Sequence, residues 1–290
     1  MSLADIADER GRFAVFAIDH RDSLRAFLAP DDPASLSAAA ITDLKIEMTR
    51  AISPLATAVM LEPEYSIPQV IDAGALADGV GFLAALESQG YLGAAGESPT
   101  TLLDGWSVEQ AKDCGAAAAK LLLPYHPDKP LAQAQQRVGA DVAAECRRVG
   151  IPLILEPLFY GLEDPADRPR VVMETAATFT SVGADLLKLP FPVDITNDPD
   201  DDHWYASCRV ISETVAQPWT LLSGGGTFDD FARQLTVAMA AGCHGFMVGR
   251  ALWGEAAKAE PAERSAMLSG EVARRFVHLR DIVDEAGRAA

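Results

Sequence analysis

The chain lacks any run approaching the roughly 18 consecutive apolar residues of a membrane-spanning helix. Its first stretch, MSLADIADERGRF, carries acids early and no apolar core, so it reads as neither a signal nor a transit peptide. Positive charge is scarce: 24 Lys and Arg stand against 42 Asp and Glu, giving a net charge of -18 and a pI near 4.6. That balance argues against nucleic acid and anionic membrane surfaces as partners, since both attract basic patches. It does not exclude a small anionic substrate, because a few local donors in a pocket outweigh remote surface charge. Cysteine is sparse. Cys114, Cys146, Cys208 and Cys243 form no CxxC or Cys/His cluster, and free thiols in a reducing cytoplasm are expected. The histidines His20, His126, His203, His244 and His278 show no HxH or HExxH spacing, so no metal site is expected. No GxSxG elbow is present for serine chemistry, and no GxGxxG for a dinucleotide.

What is present is an ordinary globular composition. Of 290 residues, 49% are hydrophobic and 23% charged, with mean hydropathy +0.08. Short β-like runs alternate with segments of helical period. The runs lie at 13–19, 56–62, 81–87, 116–123, 152–158, 185–189, 219–223 and 244–249, with helices over 43–52 and 131–149. The alanines of 116–123 would also suit a helix. Eight strands alternating with helices imply parallel βαβ units and, at this length, one closed (β/α)8 TIM barrel over 1–290. A doubly wound open sheet is the runner-up. The acid-rich stretches 30–32 and 197–202 read as solvated loops.

Active sites of such barrels are built at the C-terminal ends of the strands. The first run ends in Asp19, followed by His20 and Arg21. The second ends in Glu62 and the third near Glu87; the fourth carries Lys120, the fifth Glu156 and the sixth Lys188. Lys188 sits among Leu186, Leu187 and Leu189 and is closed off by Pro190 and Pro192. An amine there loses hydration, which is costly unless something compensates. Alternation along strands lets Lys120, Glu156 and Lys188 converge as a lysine–carboxylate–lysine cluster. A buried amine near a second cation has its pKa lowered and becomes nucleophilic near neutral pH. It can then form a Schiff base with a ketone, while the carboxylate moves protons. The competing explanation is a Lys188–Glu156 salt bridge that serves only the core.

After the seventh strand stands SGGG, from Ser223 through Gly224 and Gly225 to Gly226; after the eighth stands Gly249–Arg250, then a short apolar helix. Glycine lets backbone N–H groups approach an anion, and arginine offers a fork of donors suited to phosphate. These are the loops where such barrels bind phosphate; a tight turn plus a surface arginine is the alternative. Tyr125 and Tyr160, just past the fourth and fifth strands, are candidate proton donors, although loop aromatics usually only pack.

A set of segments, in order along the chain, carries a family resemblance. They are AIDHR (17–21), DLKIEMTRAISPLA (43–56), MLEPEY (60–65), AAKLLLPY (118–125), LILEPL (153–158), GADLLKLPFP (183–192), LSGG (222–225) and GFMVGRALW (245–253). The chain resembles the class I aldolases of the tagatose-1,6-bisphosphate aldolase type, which include the sulfofructose-phosphate aldolases. The resemblance implies Lys188 as the Schiff-base lysine and Glu156 as acid/base, with Asp19 and Lys120 near the reacting carbons. It implies Ser223, the glycines after it, Gly249 and Arg250 around the phosphate of dihydroxyacetone phosphate. Arg21 and Glu62 join the expected substrate-binding set. The family often reads Asp-Gln-Arg after the first strand; here it is Asp19-His20-Arg21, a departure bearing on the substrate's distal end or stereochemistry.

The expectation is therefore a cofactor-free class I aldolase cleaving a ketose phosphate, tagatose-1,6-bisphosphate-like first and sulfofructose-phosphate second. A phosphosugar isomerase or epimerase, or a barrel that only binds a sugar phosphate, are the alternatives of other classes. A sugar phosphate is the one partner called for. A homo-oligomer is allowed.

Overall fold

The computed structural model describes residues 1–88 and 98–289. Eight short apolar runs become eight strands of four to eight residues: β1 Phe13–Ala17, β2 Ala58–Leu61, β3 Gly81–Ala85, β4 Ala118–Tyr125, β5 Leu153–Phe159, β6 Leu186–Leu189, β7 Trp219–Leu222 and β8 Gly245–Val248. Each pairs in parallel with the next, and β8 pairs with β1 to close the barrel. The helices are α1 Asp22–Leu28, α2 Ala38–Ile52, α3 Ile67–Asp72, α4 Val108–Asp113, α5 Ala132–Val149, α6 Arg168–Thr180, α7 Asp201–Thr214, α8 Phe228–Ala240, α9 Arg250–Lys258, α10 Pro261–Met267 and α11 Ala273–Ala289. Every crossover between neighbouring strands thus has a helix to cover it, which a parallel pair requires.

The strands are apolar on both faces because both are buried. Ala14, Phe16, Val59, Leu121, Leu153 and Leu187 face the helices in the larger core cluster. Phe13, Val15, Met60, Ile154, Leu186 and Met247 fill the barrel interior. The period-2 alternation then sets what points inward further along. On β6, Leu186 is followed by Lys188; on β5, Ile154 is followed by Glu156 and Leu158; on β4, Ala118 is followed by Lys120 and Leu122. The interior is apolar below, charged in its middle layer and lined by leucine near the mouth.

One expectation holds and one needs correcting. The run at 116–123 is the expected fourth strand and not a helix: 118–125 form the longest strand, paired with β5 over seven residues. Tertiary pairing overrides alanine's helix propensity here. The acidic stretch 197–202 is not all loop. Asp200 caps α7 by accepting from the Asp202 amide, and Asp201 and Asp202 form its first turn, where carboxylates offset the helix dipole. Several polar residues expected at strand ends, Asp19, Glu62 and Glu87 among them, stand one or two positions beyond their strands. β6 stops at Leu189 because Pro190 has no N–H to give to the ladder.

Candidate active site

The charged layer is one connected network. Lys188 Nζ on β6 lies 2.9 Å from Glu156 Oε1 on β5. Glu156 Oε2 lies 3.1 Å from Lys120 Nζ on β4. Lys120 also donates to Asp19 Oδ2 at 2.8 Å and to Glu87 Oε1 at 2.7 Å. All five side chains are buried. The expected lysine–carboxylate–lysine arrangement is therefore present, with two further carboxylates on Lys120. The carboxylate stands between the ammonium groups, so the nearest charged neighbour of Lys188 is Glu156 and not the second cation. Beneath, Lys188 Nζ meets the Met60 sulfur at 3.9 Å.

The two oxygens of Glu156 differ. Oε2 is buried and, although close to Lys120, is aligned in no hydrogen bond. It has acceptor capacity to spare, as a proton-transfer group needs. Burial pushes the Asp19 carboxyl up, but the Lys120 and Lys188 charges outweigh that and hold it well below the usual carboxylate range. Asp19 is thus an anion. His20 goes the other way: burial pulls its pKa down, Asp19 opposes, Arg250 and Lys188 add to the lowering, and it settles at about 4. At neutral pH His20 is an uncharged imidazole. Its ring stands edge-on to Trp253 at 5.4 Å, and its buried Nδ1 has no hydrogen-bond partner.

A cavity of about 190 Å³ opens over this layer. Asp19, Lys120, Glu156 and Lys188 floor it, with His20 and Ser23 on one side. Ser223, Gly224, Gly225, Gly249 and Arg250 line the side belonging to β7 and β8. The two loops are tied together, since Gly249 N donates to Ser223 Oγ at 3.3 Å. Gly225 has φ +81°, a left-handed conformation that favours glycine, and a Cβ there would stand 3.5 Å from Arg250 Nη2. At Gly249 a Cβ would meet His20 Cε1 at 2.9 Å, so glycine is needed for the close approach. Arg250 opens α9, whose N-terminal dipole faces the same space. Burial lowers the pKa of its guanidinium, and among the described residues no carboxylate is within ion-pair distance of it. A partly desolvated guanidinium beside a glycine turn and a helix N-terminus can receive an anion.

Two residues expected at the substrate are placed elsewhere. Glu62 is buried behind the layer, paired with Lys45 of α2 and accepting from the amides of Glu64 and Tyr65. Arg21 donates to Glu64 at 2.5 Å and to the Glu87 carbonyl, and it does not line the cavity. Both steady the wall from behind. Tyr125 packs on Phe179 and accepts from Gln136, while Tyr160 stands by His126; neither lines the cavity. Conversely, Glu87 enters the network and His20 the cavity wall without having been assigned a role. The signal for Glu87 was its position at the end of the third strand. Among the described residues, no group of three or more His, Cys, Asp and Glu is placed to hold a metal ion, and no helix is long and apolar enough to cross a membrane.

A closed α/β barrel whose C-terminal mouth carries buried lysines, carboxylates and an anion cradle has the form of a barrel enzyme. Residues 13–255 match the model described as DeoC/LacD family aldolase, and the chain belongs to that family; it is an aldolase, hence a lyase. It is similar to tagatose 1,6-diphosphate aldolase 2 of Streptococcus agalactiae serotype III (strain NEM316), 29% identical over 88% of this chain and 85% of that protein. It is equally similar to the tagatose 1,6-diphosphate aldolase of Lactococcus lactis subsp. lactis, 29% identical over 87% of this chain and 83% of that one. Among solved structures, a Corynebacterium glutamicum protein superposes with TM-score 0.69 at 23% identity, covering 97% of this chain and 88% of that chain. An archaeal fructose 1,6-bisphosphate aldolase gives TM-score 0.65 at 18% identity, covering 97% of both chains. At these identities the structures speak for the fold.

Proposed function

We propose that the chain is a class I aldolase that cleaves a ketose 1-phosphate through an imine on Lys188. Its tagatose-aldolase relatives make a tagatose-like ketohexose the first sugar to test. The observation that carries this reading is the contact of Lys188 Nζ with Glu156 Oε1 at 2.9 Å, on the floor of a cavity whose side wall is Arg250 and the 223–225 turn.

The phosphate sits against Arg250, Ser223 and the glycine amides, which brings the carbonyl carbon to Lys188. The amine adds to that carbon and water leaves, giving an iminium. Glu156 then takes the proton of the C4 hydroxyl. The electrons of the C3–C4 bond pass into the iminium, so an aldehyde departs and an enamine remains. Protonation at C3 and addition of water to the imine carbon release dihydroxyacetone phosphate and restore Lys188. Asp19 and Lys120 hold the hydroxyl groups near the reacting bond. No cofactor enters the balance.

Borohydride reduction in the presence of dihydroxyacetone phosphate tests the assignment by peptide mass spectrometry. Lys188 gains the mass of the reduced adduct. Adduct on Lys120 with Lys188 unmodified reverses the two lysines, and absence of any adduct refutes the imine mechanism.

A further inference from the structure

His20 lines the cavity but has no part in the proposed reaction. The fold nonetheless holds its ring in a definite setting. Trp253, buried and donating its Nε1–H to the Ala17 carbonyl at 3.0 Å, meets the ring edge-on with 5.4 Å between centroids. Gly249 lies against the Cε1–Nε2 edge, where a Cβ would come within 2.9 Å of Cε1 and 3.4 Å of Nε2. The other nitrogen, Nδ1, is buried and stands 3.8 Å from Asp19 Oδ1.

The carboxylate selects the tautomer. Asp19 is an anion, so the ring proton lies on Nδ1 and Nε2 carries the lone pair. Nε2 faces Gly249, whose amide donates to Ser223 Oγ at 3.3 Å and whose next residue is Arg250. A basic nitrogen thus stands beside the anion cradle of Ser223, Gly225 and Arg250.

We infer that His20 is a further phosphate-binding residue, which takes up a proton when a phosphate dianion enters the cradle and hydrogen-bonds the phosphate through Nε2–H. This rests on the phosphate placement of the proposed function and does not depend on the imine.

The charges around His20 decide its proton. Burial is the largest cause keeping the ring neutral; Arg250 of α9, Lys188 of β6 and Lys45 of α2 add to it, while the neighbouring Asp19 favours the imidazolium. Trp253, packed against the ring, and Phe27 behind it carry no charge. With these groups alone the imidazole stays neutral. A phosphate dianion reverses the sum. It offsets Arg250, the strongest of the three opposing cations, and brings negative charge to Nε2 while Asp19 remains at Nδ1. The imidazolium then lies between two anions and donates a charge-assisted hydrogen bond to the phosphate. One proton passes from solvent to Nε2, Nδ1 keeps its own, and no covalent bond of the ligand forms or breaks. A neutral ring with its proton on Nε2 would instead turn the Nδ1 lone pair toward the Asp19 carboxylate.

Glycerol 3-phosphate is the probe, because it carries a phosphate and has no carbonyl to form an imine. Calorimetric titration in buffers of different ionisation heat counts the protons taken up, at about pH 7.5–8.5, where the free phosphate is already a dianion because its second pKa is about 6. The wild type is expected to take up close to one proton per site and to lose affinity by up to about tenfold per pH unit. His20→Gln, which offers a neutral N–H, is expected to take up none, to bind more weakly and to give a flat profile. No uptake by the wild type, or uptake undiminished in His20→Gln, overturns the inference. Failure of the wild type to bind the probe, or binding untouched by Arg250→Ala, overturns the phosphate placement and this inference with it. The imine reading is decided separately by the borohydride adduct on Lys188.

Discussion

Lys120 is the cation on which the charged layer depends, and removing it has a calculable consequence. Lys120→Met keeps the aliphatic stem and deletes the ammonium. Asp19, Glu87 and Glu156, now 2.8, 2.7 and 3.1 Å from that nitrogen, would be left facing Lys188 alone. Breaking a buried pair by removing one partner costs about 3–5 kcal/mol, because the other charges stay buried without compensation. Unfolding entropy of about 2.1 cal/mol/K per residue over 290 residues amounts to about 0.6 kcal/mol/K, so Tm falls by about 5–8 °C.

The pH dependence makes the test specific. In the wild type Asp19 is held well below its ordinary 3.8, chiefly by Lys120 working against burial. Its contribution to stability is therefore present above 3.8 and lost as pH falls through the lower folded value. Without Lys120, burial raises the carboxyl with Lys188 as the main opposing charge, and the group takes up a proton at higher pH than before. Lowering the pH then relieves repulsion in the variant, while the wild-type contribution of Asp19 stays in place down to 3.8. The stability gap, measured by urea denaturation from pH 8 to pH 4, is widest at the alkaline end and narrows toward acid. Adding Glu87→Gln to Lys120→Met recovers part of the loss, since one of the stranded carboxylates is gone. A gap below about 1 kcal/mol, or one that is flat across this range, refutes the claim that Lys120 holds these carboxylates together.

Three other substitutions probe separate parts of the site. Glu156→Gln is expected to keep the fold and lower turnover by about 10²-fold or more; near-normal kcat would reduce Glu156 to a structural partner of Lys188. Arg250→Ala is expected to weaken transition-state binding of a ketose 1-phosphate by about 2–5 kcal/mol in kcat/KM and to change its unphosphorylated analogue far less. Equal losses on both would mean that Arg250 supports the loop and not the phosphate. For His20, the unfolded chain binds a proton below 6.5 that the folded chain refuses until about 4, so stability falls as pH drops through that window. His20→Gln removes this slope, up to about 3 kcal/mol between pH 7 and pH 4, and parallel pH profiles in the two proteins would count against a desolvated neutral imidazole.

The barrel was readable because its strands are buried on both faces and so appear as unbroken apolar runs. Lys188, Glu156 and Lys120 were readable for the same reason: a charge inside such a run has nowhere to go but the interior. The glycine turn and Arg250 followed from their positions after the last two strands. Pairing was not readable. Glu62 closes its run while Glu156 lies inside one, and Lys45, 17 residues back on α2, reaches over and claims Glu62. Arg21 looks like a substrate arginine until the fold sets Glu64 against it. Both outcomes depend on which helix packs behind which strand, and strand spacing carries no record of that. Asp201 and Asp202 read as loop in the sequence because acids favour solvent, and the same preference makes them good first-turn residues of α7.

Charge conservation explains why one carboxylate lies between two lysines. In the proposed reaction the iminium on Lys188 is positive and Glu156 negative before the C3–C4 bond breaks. When it breaks, the departing electron pair neutralises the nitrogen, and the C4 proton neutralises Glu156. The cavity's net charge does not change, so no new charge has to be solvated in a space walled by Leu122, Leu158 and Met247. The same balance holds for any carboxylate of the layer, so the surroundings of each carboxylate decide which one takes the proton. Asp19 is a poor recipient, since Lys120 and Lys188 hold it far down as an anion. Glu87 is engaged through both oxygens, by Lys120 at 2.7 Å and the Leu122 amide at 3.1 Å. Glu156 Oε2, buried and aligned in no hydrogen bond, is the oxygen left to receive it. The bonds of Lys120 to Asp19 and Glu87 keep it in place while the charge on Glu156 comes and goes.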